Sequence, residues 1–251
     1  MPAKGAQILD REAPSPEPRF TSGGVLVQDV TRAFGDVVAL AGMSLRVAAR
    51  EVVVVVGPSG CGKSTLLELV CGLQRPDAGL VESDPAVLMA QRDLLLPWSS
   101  ALDNAALPLL VRGVKRARAR EQARPLFAQL GLAGFESARP DELSGGMRQR
   151  VAFLRTLLAG KPVLALDEPF ASLDALTRGQ MQEWLTGALE REPRTVLLVT
   201  HDVEEAATLA GRVLVMSPRP GRVVTELAVP AQRTPADVLG VRERALEALR
   251  T

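Results

Sequence analysis

The feature that most constrains the fold is a run of five valines at residues 52–56, which leads directly into the peptide GPSGCGKST at residues 57–65. A β-branched run without a polar interruption predicts a strand buried on both faces, at the centre of an α/β sheet. The glycines of the peptide allow the backbone to curl with its N–H groups pointing inward, where they can bind phosphate. The sequence therefore predicts a P-loop that joins the central strand to a helix.

The residue types in this loop suit a nucleoside triphosphate. Lys63 can reach the β- and γ-phosphates, and the hydroxyl of Ser64 can ligate Mg²⁺. The predicted nucleotide-binding residues of the loop are Gly57, Pro58, Ser59, Gly60, Cys61, Gly62, Lys63, Ser64 and Thr65. The motif alone indicates binding and hydrolysis of a triphosphate, but not the process that the hydrolysis serves.

The rest of the pattern also favours an α/β fold. Apolar runs predict strands at residues 163–166, 195–200 and 213–216, and helical patterns fit between the strands at residues 63–71, 147–159 and 177–190. Shorter apolar stretches at residues 25–30 and 43–47 suit an antiparallel sheet edge. Residues from about 92 to 155 have helical patterns and no comparable strand. We therefore predict a P-loop NTPase core of the RecA-like type, with an antiparallel β edge subdomain and an inserted α-helical subdomain.

Composition limits the other classes of function. The chain of 251 residues has 30 Lys and Arg against 29 Asp and Glu, a net charge of +1, so no overall attraction to nucleic acid is expected. The most basic segment, residues 112–124, contains Glu121 and no interleaved aromatic residue, which favours a solvated helix face over a nucleic-acid site. No apolar run reaches the ~18 residues of a membrane helix.

Polar residues follow the apolar runs at the predicted carboxyl edge of the sheet, where ligands of open α/β sheets bind. Asp167 ends one strand and can hold Mg²⁺, while Glu168 is placed to act as the general base on the attacking water. His201, the only histidine, follows the next predicted strand and can hydrogen-bond the γ-phosphate. Gln91 has the comparable position after an apolar stretch at residues 86–90.

A second candidate anion site lies in the peptide LSGGMRQR, residues 143–150. Ser144, Gly145 and Gly146 open a predicted helix, whose free N–H groups and positive dipole end can face an anion. The P-loop already serves the chain's own nucleotide. The second site therefore suggests that two chains share each nucleotide.

Together, the P-loop, Gln91, LSGGMRQR, LALDEPF, ASLD and His201 occur in the order and approximate spacing of the ATP-binding cassette (ABC) ATPases. Over about residues 24–220 the chain resembles the nucleotide-binding subunits of membrane transporters of this family. The resemblance implies that ATP and Mg²⁺ are the cofactors and that residues 144–146 close on the γ-phosphate held by the opposite subunit. It also implies that Gln91 contacts Mg²⁺ and signals to the membrane subunits, and that His201 is the switch histidine.

The resemblance also assigns roles to residues and boundaries to domains. The predicted catalytic residues are Lys63, Gln91, Glu168 and His201, and the predicted metal ligands are Ser64, Gln91 and Asp167. Residues 23–225 are expected to form the ABC ATPase domain, with its helical subdomain at about residues 92–155. A proline-rich flexible leader is expected at residues 1–22, and a helical C-terminal extension at residues 226–251.

The base site departs from the family pattern. Members of the family often stack a tyrosine on adenine, and this chain has no tyrosine. Phe34 matches that place, and because it keeps the π face and loses only the hydroxyl, stacking on the base remains available. The alternative is a phenylalanine that belongs to the core or to a loop.

The loop after Gln91 is unusually apolar. It contains Leu94, Leu95, Leu96, Pro97 and Trp98. Apolar groups of this kind are typical of a partner surface, although Leu95 and Leu96 could instead pack within the helical subdomain. In the family this region is a groove for a short helix of the transmembrane subunit. The peptide LLLPW, residues 94–98, resembles the importers of nitrate, sulfonates, taurine and pyrimidine precursors of thiamine.

The resemblance thus implies three partners. They are a second copy of the chain, polytopic transmembrane permease subunits and, indirectly, a solute-binding protein, with no nucleic acid. It places the chain peripherally on the cytoplasmic face of the cell membrane, without a transmembrane segment of its own. A soluble ABC ATPase of cofactor assembly, or of another process without transport, is the alternative.

Overall fold

The computed structural model describes residues 22–250. The leader expected at residues 1–22 therefore lies outside the described residues, apart from Ser22. The strands are β1 (Val25–Phe34), β2 (Val37–Val47), β3 (Val52–Val56), β4 (Ala78–Ser83), β5 (Ala86–Met89), β6 (Val163–Asp167), β7 (Thr195–Thr200), β8 (Arg212–Met216) and β9 (Val223–Ala228). The helices are α1 (Lys63–Val70), α2 (Ala101–Val111), α3 (Arg116–Gln129), α4 (Gly145–Leu158), α5 (Ala175–Arg191), α6 (Val203–Leu209) and α7 (Pro235–Ala248), with a 3₁₀ turn at Pro140–Glu142.

A six-stranded sheet forms the centre of the fold, in the order β5-β6-β7-β3-β8-β9. Its strands are parallel except for β9, which pairs with β8 in the antiparallel sense. Val54 of β3 lies opposite Leu198 of β7 and Val213 of β8. Alternate valines face different cores, since Val54 packs in one hydrophobic cluster and Val55 in the other. The predicted strand with two buried faces is confirmed.

A second, antiparallel sheet covers one side of α1. Its strand order is β2-β1-β4. Buried residues of β1 and β2, such as Val27 and Leu40, share a core with Val55 and with Leu66 of α1. The sheet therefore brings the ends of β1 and β2 close to the start of α1, where the P-loop lies.

Between residues 92 and 155 the regular elements are α2, α3, the 3₁₀ turn and most of α4, and no strand occurs there. Ala105 of α2 and Phe153 of α4 are buried in one core with the sheet, so the helical subdomain is packed directly onto it. In the basic segment, Arg116 and Arg120 both form ion pairs with Asp103, and their hydrogen bonds hold the pKa of that carboxyl below its usual range. Part of this positive charge is thus used within the fold.

Two helices begin earlier than the apolar pattern indicated. α4 begins at Gly145, because the Ser144 side chain caps it by accepting a hydrogen bond from the N–H of Met147. α5 begins at Ala175, where Asp174 accepts from the N–H of Thr177 in the same way. The pattern located the first apolar residues, while the capping residues determine the helix starts.

The expected C-terminal boundary after residue 225 falls inside β9. The helix that follows, α7, buries Val241 and Ala245 in the same cluster as the sheet residue Val54. The C-terminal helix therefore packs as part of the α/β core. Within residues 22–250, no helix is both long and apolar enough to span a membrane.

Candidate nucleotide-binding site

The loop at residues 57–62 turns sharply between β3 and α1. Gly62 has φ of 104°, and a Cβ there would lie 2.7 Å from Cδ2 of Leu40 and 2.9 Å from the carbonyl oxygen of Ala39. Only glycine fits this conformation and this contact. The loop therefore packs against β2, and the N-terminus of α1 faces the cavity that the loop lines.

Lys63 is buried at the first position of α1. Its Nζ donates hydrogen bonds to the carbonyl oxygens of Gly57, at 2.8 Å, and of Pro58, at 2.9 Å. These bonds hold the ammonium group on the inner side of the loop. The helix N-terminus and this cation together favour an anion at the loop.

Asp167 ends β6 beside the start of α1. Burial raises the pKa of its carboxyl, while a hydrogen bond with Ser64 and the charge of Lys63 act in the opposite direction. The hydroxyl of Ser64 and the carboxylate of Asp167 are therefore adjacent oxygen donors. Such hard donors are the ligands that Mg²⁺ prefers.

Three predicted catalytic residues meet at Glu168. Nε2 of Gln91 donates to Oε2 of Glu168 at 3.1 Å, and Nδ1 of His201 lies 3.0 Å from Oε1. The backbone of Glu168 has φ of 46°, an unfavourable region for a residue with a side chain, and its N–H donates to the carbonyl of Val199. The charge of the Glu168 carboxylate is close enough to that of Asp167 to raise the pKa of Asp167.

The contact expected between His201 and a γ-phosphate stays a prediction. In this structure the imidazole is 58% exposed and interacts with Glu168. The sequence predicted both residues at the same sheet edge, but it did not predict the hydrogen bond between His201 and Glu168. Thirty-three positions separate the two residues along the chain, and only the pairing of β6 with β7 brings them together.

Phe34 lies at the rim of the same cavity and is 45% exposed, so it does not belong to the core. The guanidinium of Arg32 covers its ring at 4.7 Å from the centroid. Asp77 and Gln74 hold Arg32 in place through hydrogen bonds. The sequence did not lead us to Arg32. Its contact with Phe34 was nevertheless predictable, because residues two apart on a strand share a face.

These groups enclose one open cavity of about 320 Å³. It is lined by Phe34, Val37, Ala39, Ser59, Gly60, Gly62, Lys63, Ser64, Thr65, Gln91, Asp167, Glu168 and Arg219. Gly57, Pro58 and Cys61 belong to the same loop but do not line the cavity. Arg219, from the turn between β8 and β9, was not predicted from the sequence.

The residues of LSGGMRQR lie elsewhere. Ser144 and Gly145 are exposed at the start of α4, and they do not line the cavity that contains the P-loop of their own chain. The hydroxyl of Ser144 accepts from the N–H of Met147 at 3.2 Å. The helix start is thus formed and accessible from outside.

The sequence model of one protein family, described as ABC transporter, matches residues 40–171. The chain belongs to the ABC transporter family. The matched residues of this ABC ATPase include the P-loop, Gln91, LSGGMRQR, Asp167 and Glu168. The predicted family, the activity as an ATPase and the binding of ATP are confirmed.

Relatives and solved structures agree with this membership. The formylaminopyrimidine import ATP-binding protein ThiZ of Halalkalibacterium halodurans is 46% identical over 75% of this chain and 77% of that protein. The taurine import ATP-binding protein TauB of Chromobacterium violaceum is 47% identical over 78% of each chain. The ATP-binding cassette MJ0796, solved as a dimer in a post-hydrolysis state with ADP and Pi, superposes with a TM-score of 0.74 at 28% identity, over 83% of this chain and 100% of that one. The predicted fold class is confirmed.

Proposed function

We propose that this ABC ATPase is the ATP-hydrolysing subunit of a membrane importer for a small solute. The observation that carries the proposal is a rigid loop that joins the catalytic Glu168 to an exposed apolar surface. The names of the relatives, import ATP-binding proteins for formylaminopyrimidine and taurine, support the solute class of nitrate, sulfonates, taurine and pyrimidine precursors.

The exposed surface consists of Leu94 and Trp98, and we call the loop after Gln91 that carries them the docking loop. Leu94 is 62% exposed and Trp98 is 72% exposed, whereas Leu95 between them is buried. Large apolar side chains in water are unfavourable, and together they indicate a partner surface. Of the two leucines for which packing within the helical subdomain was the alternative, Leu95 is buried and Leu96 is half-buried.

The docking loop is held firmly despite its exposure. The buried side chain of Asn104 accepts from the N–H of Leu96 at 2.7 Å and donates to its carbonyl oxygen at 3.1 Å. Arg148 of α4 forms an ion pair with Asp93 at 3.0 Å, and Arg155 donates to the carbonyl oxygen of Leu94 at 2.9 Å. We therefore expect a displacement of the loop to move α4, which begins within LSGGMRQR, and also Gln91 at the start of the loop. These contacts support a link between a membrane partner and ATP hydrolysis.

Residues of the cavity suit Mg-ATP. Within residues 22–250 no group of three or more His, Cys, Asp or Glu side chains could hold a metal ion by itself. The hydroxyl of Ser64, the carboxylate of Asp167 and the amide oxygen of Gln91 are hard oxygen donors, so they fit Mg²⁺ whose other ligands are phosphate and water oxygens. When bound, Mg²⁺ neutralises part of the phosphate charge. The ring of Phe34 has one face covered by Arg32 and the other available to adenine.

Glu168 is proposed as the general base. Its two oxygens are oriented by Gln91 and His201, and a carboxylate in this position accepts a proton from the water that attacks the γ-phosphate. Lys63 stabilises the charge that develops on the phosphate oxygens. His201 keeps Glu168 oriented through its hydrogen bond, and we propose that the same imidazole contacts the γ-phosphate.

The proposed unit is a dimer. Ser144, Gly145 and Gly146 form a helix start, exposed at Ser144 and Gly145, that does not line the cavity of their own chain. We place them on the nucleotide bound by a second copy, which the dimeric structure of the relative MJ0796 supports. Permease subunits would contact the docking loop and hold the ATPase peripherally at the cytoplasmic face of the membrane.

The test is recovery of the permease with the tagged ATPase from detergent-solubilised membranes of the native host. The wild-type chain should recover a polytopic membrane protein, and Trp98→Ala should lose it while keeping ATP binding. Val111→Ala, which removes another highly exposed apolar side chain at the end of α2, should keep it. Recovery of a partner without membrane spans, unaffected by Trp98→Ala, would favour a role without transport.

A further inference from the structure

Arg219 lies in the turn between β8 and β9 and lines the ATP cavity. We propose that its guanidinium binds the β- and γ-phosphates of the nucleotide, as a second cation beside Lys63. This inference rests on the proposed function, and it adds a residue from outside the part of the chain that matches the family, residues 40–171.

The position of the guanidinium favours the phosphates over the base. A Cβ placed on Gly60 of the P-loop would lie 3.8 Å from Nη2 of Arg219, so the guanidinium is at the phosphate-binding loop itself. Phe34 is instead covered by Arg32. The two arginines therefore serve different ends of the cavity.

Arg219 has no partner among the described residues. No hydrogen bond or ion pair involves its side chain between residues 22 and 250. The other cation of the cavity, Lys63, already donates to the carbonyl oxygens of Gly57 and Pro58. An unpaired guanidinium at the edge of a polyphosphate site gains charge-assisted hydrogen bonds when the anion arrives.

The turn that carries Arg219 is fixed on both sides. The N–H of Gly221 donates to the carbonyl oxygen of Ala39 at 2.8 Å, and Ser217 donates through its hydroxyl to the carbonyl oxygen of Pro220 at 3.0 Å. A Cβ on Gly221 would lie only 2.1 Å from the carbonyl oxygen of Cys61, so the turn rests directly on the P-loop. The backbone on both sides of Arg219 is therefore held in place before the nucleotide binds, which lowers the entropic cost of using it.

The experiment measures the affinity of the purified full chain for ATP, ADP and AMP in the presence of Mg²⁺, in a Glu168→Gln background that prevents turnover. Arg219→Ala should weaken ATP binding by about 5- to 20-fold, since charge-assisted hydrogen bonds are strong but this one is partly exposed. The loss should be smaller for ADP and smallest for AMP, and it should decrease as salt is raised from low to high concentration. Arg219→Lys should recover part of the affinity.

Two controls make the result decisive. Arg222→Ala removes an exposed arginine of the same turn that does not line the cavity, and it should leave all three affinities within twofold. Lys63→Ala should lose ATP binding, and if it does not, the P-loop assignment fails, independently of Arg219. Unchanged ATP affinity in Arg219→Ala would overturn the inference. An equal loss for ATP, ADP and AMP would also overturn it, because the contact would then be to the base, the ribose or the α-phosphate alone.

Discussion

Glu205 provides a prediction about stability that depends on pH. Its side chain is buried in α6, where Oε2 accepts a hydrogen bond from Thr200 at 2.6 Å. Among the described residues Oε1 has no hydrogen-bond partner. Burial and, to a smaller extent, the charge of Asp202 raise the pKa of Glu205, while Thr200, Arg178 and His201 lower it, and the net result is a pKa of about 7.

The sign follows from the two pKa values. The folded protein holds the proton up to pH of about 7, whereas the unfolded chain releases it near its ordinary value of 4.5. Between these values the folded state binds more protons, so the free energy of unfolding decreases as pH rises through this window. At about 1.4 kcal/mol for each pH unit, the contribution that is lost by pH 8 is about 3 kcal/mol.

Glu205→Gln tests this reasoning, because Gln keeps the shape and can still accept from Thr200 but cannot ionise. Urea unfolding at several pH values between 5 and 8.5 gives the free energy of unfolding of each protein. The wild type minus the variant should decrease by about 2.5 kcal/mol across this range. Glu204→Gln, which changes the exposed neighbour, should show no such decrease. A difference between wild type and Glu205→Gln that is independent of pH would refute the argument.

Glu168→Gln keeps the size of the side chain but removes the base, so ATP hydrolysis should slow by about 100- to 10,000-fold with ATP binding retained; retention of full turnover would remove Glu168 from that role. Phe34→Ala should weaken ATP binding about fivefold, the equivalent of about 1 kcal/mol of stacking. Its control, Phe135→Ala, changes an exposed phenylalanine outside the cavity and should have no effect on the affinity. Equal affinities in the two variants would show that Phe34 does not contact the base.

The sequence predicted the parts of the fold that depend on local patterns. The valine strand, the P-loop and the helical subdomain follow from residue types that are neighbours in the chain, so periodicity and glycine content were enough. The carboxyl edge of the sheet was predictable too, because parallel strands bring their ends together. This rule correctly placed Asp167, Glu168 and His201 at one edge.

Contacts between distant segments were not predictable in this way. Gln91 and Glu168 are separated by 77 positions, and their hydrogen bond depends on how β5 pairs with β6. Arg219 reaches the P-loop only because Gly221, in the same β8–β9 turn, packs against the backbone of Cys61 in the P-loop. The positive φ of Glu168 is likewise imposed by the surrounding packing, since no local signal favours it.

The central claim, that each ATP site is completed by a second copy, is tested most directly by mixing two inactive variants. Lys63→Ala disables the P-loop and Ser144→Arg disables the helix start that faces the other copy, so each variant alone should hydrolyse no ATP. In an equimolar mixture half of the dimers are mixed, and each mixed dimer has one intact site, so about a quarter of the wild-type rate should return if a single site can act. A mixture that stays inactive, or a Ser144→Arg protein that is active alone, would contradict a shared site.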